Sequence, residues 1–309
     1  MRTIIIALAA NVIIAIAKLV AGLLSRSSAM LAESAHSFAD SLNEVLLGIS
    51  LRRAQRPADA VHPLGHGREQ FLWAFIAAIA SFLIGGCVSV GLAIRTLELG
   101  GETTKATIAW IVLIVSFAAD GTSWLQSMRQ ARRQAAEYQR GVWDYLIRSS
   151  DPVVRAVVVE DSAALVGLVL AAAGLLLSEV LKSSVPDAVA SLMIGVLLAV
   201  TAFGLARPLA DFLIGRSLPP DEIEKLQAIL AASPAVEQVL SLQAVYTGPE
   251  EVIVAAKIHP SAQMKAEDLT RAMDDLDGEL RAQSPLVADV YLDLTTYRLE
   301  TPIDRHHVE

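Results

Sequence analysis

A chain of 309 residues, of which 54% are hydrophobic, has a mean hydropathy of +0.49. This is too apolar for an ordinary soluble protein of that size, so most of the chain is expected in a lipid bilayer. The net charge of −8 argues against a basic protein that binds nucleic acid.

Six apolar segments of about 20 residues, the length that crosses one hydrocarbon layer, predict six transmembrane helices. Residues 1–210 should form this all-α transmembrane domain, and residues 211–309 a soluble domain. The soluble part has 18 acidic and 8 basic residues, whereas the first 210 residues have 15 and 17. The six segments lie near residues 3–24, 29–51, 71–95, 106–128, 155–181 and 187–209.

Arginine is concentrated in the links after the second and fourth spans. These links contain Arg52, Arg53, Arg56 and Arg68, and then Arg129, Arg132, Arg133, Arg140, Arg148 and Arg155. Because basic links stay on the cytoplasmic side, both termini are predicted to face the cytoplasm. The alanine-rich composition favours a bacterial cytoplasmic (inner) membrane.

A polar stripe runs along the second predicted span. At 3.6 residues per turn, one face of this helix holds Glu33, His36, Asp40, Asn43 and Glu44. An ionisable side chain at membrane depth costs about 2.5–3.5 kcal/mol on insertion scales, so several on one span need a reason. Metal or proton handling by His36 and Asp40 is one explanation, and a polar seam between helices is the other.

The fifth span contributes Glu160 and Asp161. Adjacent helical positions point about 100° apart, so one small site is not expected to receive both side chains. Small residues at Ala164, Gly167 and Ala171 continue the Asp161 face and let two helices approach closely. We therefore expect Asp161 to face the second span and treat Glu160 as the weaker candidate.

Three further polar residues lie in predicted spans. Asp120, in the fourth, is expected either to cap the helix end or to line an aqueous vestibule. Asn11 and Lys18, in the first, are interpreted as structural. The ammonium of Lys18 should either pair with a carboxylate or extend toward the membrane surface.

The link after the second span contains Asp59, His62 and His66, bracketed by proline and glycine. These side chains can bind a divalent cation once the loop folds back on itself. Solvated loop residues are the alternative interpretation of the same spacing.

The soluble part predicts the order αββαβ. A helix opens at Pro219, Pro220 and Asp221, two alternating strands follow, and a long helix from Ala266 to Arg281 precedes a last strand. This order suggests a small split α/β sandwich. His306 and His307 are interpreted as solvated terminal residues.

The segments HSFADSLNEVLL, RPADAVHPLGHGRE, EDSAALVGLVLA and PDAVASLMIGVLLA resemble the cation diffusion facilitator family over nearly the whole chain. The resemblance implies a homodimer that exchanges a cytosolic divalent metal, commonly zinc, for protons. It also implies a transport function for the membrane domain and a ferredoxin-like cytoplasmic domain, residues 211–309, that dimerises. No tightly bound cofactor is expected, since the metal is cargo.

The resemblance places the intramembrane ligands on His36, Asp40, Val157 and Asp161, and Val157 cannot bind metal. Glu160, Asp120 or Asn43 is expected to complete the shell of the remaining three.

One imidazole with mostly oxygen donors suits zinc first and also accepts manganese, iron or cobalt. Because metal ligands must lose protons, His36 and Asp40 are expected to couple metal to proton movement. The family's loop site falls on Asp59, His62 and His66, and no strong metal site is expected in the tail.

Two other classes of function fit the sequence less well. A metal-responsive membrane adaptor without transport would explain the missing fourth ligand, but not carboxylates at membrane depth. An enzyme is disfavoured because the chain has neither an H-E-x-x-H motif nor a glycine-rich phosphate loop.

Overall fold

The structure is a computed structural model that describes residues 2–100, 106–137, 141–148, 152–262 and 264–296. The chain divides into two compact units. The helical unit comprises Met1–Gln55 and Glu69–Ala210, and the α/β unit comprises Arg56–Arg68 and Asp211–Glu309. The loop that follows the second predicted span therefore belongs to the same unit as the tail.

Long helices form most of the first unit. They are α1 (Arg2–Ser25), α2 (Ser28–Ala54), α3 (Glu69–Leu99), α4 (Ala106–Glu137), the short α5 (Val142–Arg148), α6 (Pro152–Leu181) and α7 (Val185–Ile214), whose last turn lies in the second unit. Within the described ranges, α3, α4, α6 and α7 are long and apolar enough to cross a membrane. The prediction of a membrane-embedded chain is confirmed for these four helices.

The first two helices have a different character. Within the described residues, α1 has an apolar stretch at Asn11–Ser25. The polar stripe lowers the hydropathy of α2. This helix begins at Ser28, because the side chain of the preceding Ser27 accepts a hydrogen bond from the Met30 N–H at 3.1 Å. These two helices carry most of the polar groups that the sequence singles out.

Small residues let the helices of this unit pack closely. Gly167 of α6 lies against the Glu33 carboxylate of α2, where a β-carbon would collide with Oε1. This contact confirms the prediction that the small-residue face of α6 meets the second span. The buried cluster around it contains Ala21, Ala29, Met30, Ala32, Ala109, Leu113, Leu168, Ala171, Leu175, Ala190, Ile194 and Leu198.

A π-helical segment, Phe82–Cys87, interrupts α3. Its Gly85 lies beside α2, so that a β-carbon there would be 3.7 Å from the Cα of His36. The same β-carbon would be only 2.9 Å from Leu198 Cδ1, so the missing side chain lets α3 pack closely on α7 while it lies beside α2.

The α/β unit confirms the predicted order αββαβ. It consists of α8 (Pro220–Ala232), β1 (Val236–Gly248), β2 (Glu251–Pro260), α9 (Ala266–Gln283) and β3 (Val287–Leu294). The central strand β2 pairs antiparallel with β1 and parallel with β3. Its alternating buried side chains form the core with leucines of both helices, namely Val252, Val254, Ala256 and Ile258 with Leu226, Leu230, Leu276 and Leu280. His306 and His307 lie outside the described residues.

Candidate functional site

A cavity of about 120 Å³ lies in the helical unit between α1, α2, α4 and α6. Five carboxylates line it, at Asp40, Glu44, Asp120, Glu160 and Asp161. Such a concentration of negative charge between low-dielectric walls attracts cations.

Glu160 and Asp161 both line this cavity. The expectation that adjacent positions would not face one site is therefore wrong for this chain. A cavity with walls from four helices is broad enough to receive two directions from the same turn. Asp120 also lines the cavity, which agrees with the vestibule interpretation and not with a helix cap.

Amide side chains hold two of the carboxylates. Asn11 Nδ2 donates to Glu44 Oε1 at 2.5 Å, and Asn43 Nδ2 donates to Glu160 Oε2. Both amides therefore act as donors to an anion, which is their simplest role at membrane depth.

Two hydroxyl groups of α4 hold Asp161. Ser127 Oγ donates to Oδ2 at 2.8 Å, and Ser123 Oγ lies 3.2 Å from the same oxygen. These bonds fix the direction of the carboxylate and leave lone pairs on its oxygens for a further partner.

The ammonium of Lys18 has three partners. Its Nζ atom lies 3.2 Å from Glu33 Oε2, 2.8 Å from Ser37 Oγ and 3.3 Å from Asp120 Oδ2. Lys18 and Glu33 are both 0% exposed. The predicted pairing of Lys18 with a carboxylate is confirmed, and the alternative in which it extends to the membrane surface is wrong. Glu33 was not among the predicted site residues, although an acid and a lysine on apolar neighbouring helices need one another.

His36 and Asp40 carry polar atoms with no hydrogen-bond partner in the described part of the chain. These are both ring nitrogens of His36 and the Oδ1 atom of Asp40, and Nδ1 lies 3.4 Å from Oδ1. Buried polar atoms are almost always paired, so this exception needs an explanation. An imidazole nitrogen and a carboxylate oxygen one helical turn apart fit a divalent metal.

The three predicted intramembrane ligands are only partly brought together. Asp40 and Asp161 share the cavity, whereas His36 is buried beside Asp40 and not at the cavity wall. Val157 lines the cavity too, so the position that lacks a donor does face this space.

The loop residues do converge. Among the described residues, Asp59, His62 and His66 are the one group of three whose ligand atoms all lie within 4.8 Å of one another. The Asp59 oxygens lie 3.0 Å from His66 Nε2 and 3.5 Å from His62 Nδ1. The adjacent Gly67 packs directly on the backbone carbonyl of Thr247, which anchors the loop within the α/β unit.

The Asp59 carboxylate also organises the loop backbone. Its Oδ1 atom accepts hydrogen bonds from the N–H groups of Val61, at 2.8 Å, and His62, at 2.7 Å. The hydrogen bond with His66, followed by these backbone bonds, holds the pKa of Asp59 well below its usual range. The carboxyl group therefore has no proton to lose at neutral pH when it binds a cation.

Residues 4–214 match the family of the cation efflux transmembrane domain. Metal tolerance protein C4 of Arabidopsis thaliana is 30% identical over 244 residues, which cover 79% of this chain and 53% of that protein. The mitochondrial proton-coupled zinc antiporter SLC30A9 of Xenopus laevis is 28% identical over 257 residues, covering 83% and 46%. The manganese efflux system protein MneP of Bacillus subtilis is 22% identical over 300 residues, covering 94% of each chain.

The chain thus spans about half the length of the first two relatives and nearly all of the third. The family match covers the helices that build the cavity. The chain belongs to the cation diffusion facilitator family of cation efflux proteins, which are transporters and not enzymes, as its sequence predicted.

Proposed function

We propose that this protein exports a divalent cation, zinc in the first place, in exchange for protons. The observation that carries the proposal is the set of buried atoms on His36 and Asp40 that have no hydrogen-bond partner among the described residues, next to a cavity lined by acidic side chains. Two relatives, one named as a proton-coupled zinc antiporter and the other as a manganese efflux system protein, support a divalent cation as the cargo. Manganese, iron or cobalt is the alternative cargo for the same site.

His36, Asp40 and Asp161 are the proposed ligands of the transported ion, and Glu160 is the proposed fourth. Glu160 lines the same cavity as Asp40 and Asp161, whereas Val157 offers no donor atom. Asn43 supports Glu160 through its amide, and Asp120 is engaged by Lys18. Three oxygen ligands and one imidazole bind a dication without the permanence of a thiolate site.

Proton coupling follows from competition for the same lone pairs. A metal ion binds the deprotonated ligands, so binding releases protons and reprotonation of His36 and Asp40 expels the ion. Rocking of α1, α2, α4 and α6 against α3 and α7 is the proposed route of alternating access, by analogy with transporters that bind at the bilayer midplane.

The remaining proposals concern topology and assembly. We place six spans across a bacterial cytoplasmic (inner) membrane, with α1 and α2 added to the four apolar helices and both termini in the cytoplasm. Residues 1–210 form the transport domain, and residues 211–309 form a ferredoxin-like cytoplasmic domain that supports a homodimer. Asp59, His62 and His66 are proposed to bind the same ion before it enters.

Metal-driven proton flux tests the central proposal. Purified protein is reconstituted into liposomes that contain a pH-sensitive dye, and zinc is added outside. We expect flux from the wild type and from a control variant at an exposed acid, Glu98→Gln, and none from Asp40→Asn or Asp161→Asn. Flux retained in both cavity variants would contradict the assignment of these ligands. A wild type without flux, whose dimerisation depends on zinc, would instead support the membrane adaptor.

A further inference from the structure

We infer that Lys18 is a specificity-determining residue, a tethered cation that keeps Asp120 from ligating the transported ion and so limits how tightly the cavity holds it. The inference rests on the proposed function, since it concerns the same cavity. Lys18 is not among the residues that line the cavity, but it contacts Asp120, which is.

The ammonium joins two carboxylates in different surroundings. Glu33 is fully buried and lies away from the cavity wall, whereas the side chain of Asp120 is 22% exposed and lines the cavity. Nζ lies at nearly the same distance from each, 3.2 Å and 3.3 Å, with Ser37 Oγ at 2.8 Å as its third acceptor. Lys18 therefore places its positive charge between a fully buried carboxylate and a carboxylate of the cavity wall.

Neutralising Glu33 does not by itself explain this arrangement. Apolar residues of similar size can replace a buried ion pair at little or no cost in stability. A lysine that served only Glu33 would also have no need to reach Asp120, since Ser37 already supplies a neutral acceptor. The contact with Asp120 is the part of the geometry that affects the cavity.

The chemical consequence concerns release of the cargo. The number of charged oxygen ligands sets the affinity of a site for hard divalent cations. A carrier whose cavity held a dication with one more carboxylate would bind it more tightly and let it go more slowly. Because Lys18 donates to Asp120 Oδ2, a metal ion has to compete with the ammonium for that oxygen.

The decisive variant is Lys18→Met combined with Glu33→Gln. The pair of substitutions removes both charges of the buried ion pair, and so avoids a buried carboxylate without a counter-ion. Asp120 is left without its ammonium. A second version, Lys18→Gln with Glu33→Gln, keeps hydrogen-bonding groups at both positions and provides a replacement if the first does not fold. The matched control adds Asp120→Asn to the same double variant.

The measurement is zinc-driven and manganese-driven flux in proteoliposomes, with KM and kcat determined separately. We expect both KM and kcat of the double variant to fall, by roughly tenfold for one additional carboxylate ligand, with the larger fall in KM for manganese. Adding Asp120→Asn should bring both constants back toward the wild-type values. A role confined to packing would instead give the double and triple variants the same constants.

Two results would overturn the inference. One is a double variant with wild-type KM and kcat, and the other is a fall in KM that persists in the triple variant. Suppose that either result is obtained while the wild type shows zinc flux and Asp40→Asn shows none. The inference about Lys18 is then rejected, and the proposed function still holds. Failure of the proposed function is recognised separately, by a wild type that shows no zinc flux.

Discussion

The carboxylate of Asp187, in the first turn of α7, accepts a hydrogen bond from the backbone N–H of Ser28, the first residue of α2, at 2.5 Å. The same carboxylate accepts from Ser28 Oγ at 2.8 Å and from Ser27 Oγ at 2.6 Å. All three residues are buried. An anion at a helix N-terminus satisfies donors that have no partner within the helix. Asp187 thereby fixes the start of the helix that carries His36 and Asp40.

Substitution of Asp187 by asparagine should destabilise the protein by about 2 kcal/mol or more. The amide keeps the shape but removes the charge that strengthens several buried hydrogen bonds. Thermal unfolding in one detergent measures the effect. The control is Glu98→Gln, at an exposed position in the last turn of α3, which should leave the unfolding midpoint unchanged. Equal midpoints for the two variants would show that the Asp187 contacts add nothing to stability.

Gly167→Ala should destabilise the protein by about 1–3 kcal/mol, the usual cost of overpacking a core. The new β-carbon would collide with Glu33 Oε1, on a fully buried carboxylate whose other oxygen accepts a hydrogen bond from Lys18 at 3.2 Å.

Gly121→Ala is the matched control for this variant. It lies in α4 with no atom within 4 Å of the added carbon, and alanine favours a helix over glycine. Its unfolding midpoint should equal or exceed that of the wild type. If the Gly167→Ala variant proved as stable as the Gly121→Ala variant, α2 and α6 would not be in contact at Glu33.

Val157→His should tighten zinc binding during transport. Val157 lines the cavity beside Glu160 and Asp161, so an imidazole there adds a nitrogen ligand for a borderline-soft ion. We expect KM for zinc to fall about tenfold and KM for manganese to change less.

Val157→Leu provides the control, because it adds volume without a donor atom. It should not lower KM for zinc. If histidine and leucine at this position give the same ratio of zinc to manganese KM, position 157 does not contact the ion.

The charge of Asp59 should order the loop of residues 56–68 over a wide pH range. Its pKa is lowered in the folded loop by the hydrogen bond with His66 and by two backbone N–H groups. The resulting stabilisation is present above the ordinary carboxyl pKa, about 4, and is lost only as the pH falls toward the lower value of the folded state. Loop order should therefore persist from pH 8 to pH 5.

Hydrogen exchange measures this order, after correction for the intrinsic pH dependence of exchange. Asp59→Asn should exchange faster throughout the loop at both pH 8 and pH 5. The variant Asp289→Asn, at an exposed position on β3, serves as the control and should match the wild type. Protection in the wild type that disappears between pH 8 and pH 5 would contradict the role of the Asp59 charge.

The polar stripe of α2 shows how far the sequence alone could go. Helical periodicity placed Glu33, His36, Asp40, Asn43 and Glu44 on one face. In the structure Asp40, Asn43 and Glu44 line the cavity, Glu33 contacts Lys18, and His36 lies beside Asp40. Periodicity could not show that Glu33 pairs with Lys18 while Asp40 lines the cavity. That division depends on which neighbouring helix lies opposite each turn.

The helix α6 shows the complementary case. Its small-residue face predicted the approach to α2, because close packing requires the absence of side-chain volume. The prediction from the angle between Glu160 and Asp161 was wrong, because the sequence of one helix does not reveal the size of the cavity beside it. Only the positions of α1, α2 and α4 establish a cavity that accepts both carboxylates.

The sequence by itself determined the apolar helices, the order αββαβ, the loop triad and the membership of a cation efflux family. These depend on local hydropathy, periodicity and motif spacing, which few distant contacts can override. The tertiary structure decided which carboxylates accept hydrogen bonds, and which atoms of His36 and Asp40 find no hydrogen-bond partner in the part of the chain that it describes. Such partners are 33 to 117 positions apart in the chain, so their pairing depends on how the helices pack and not on their order.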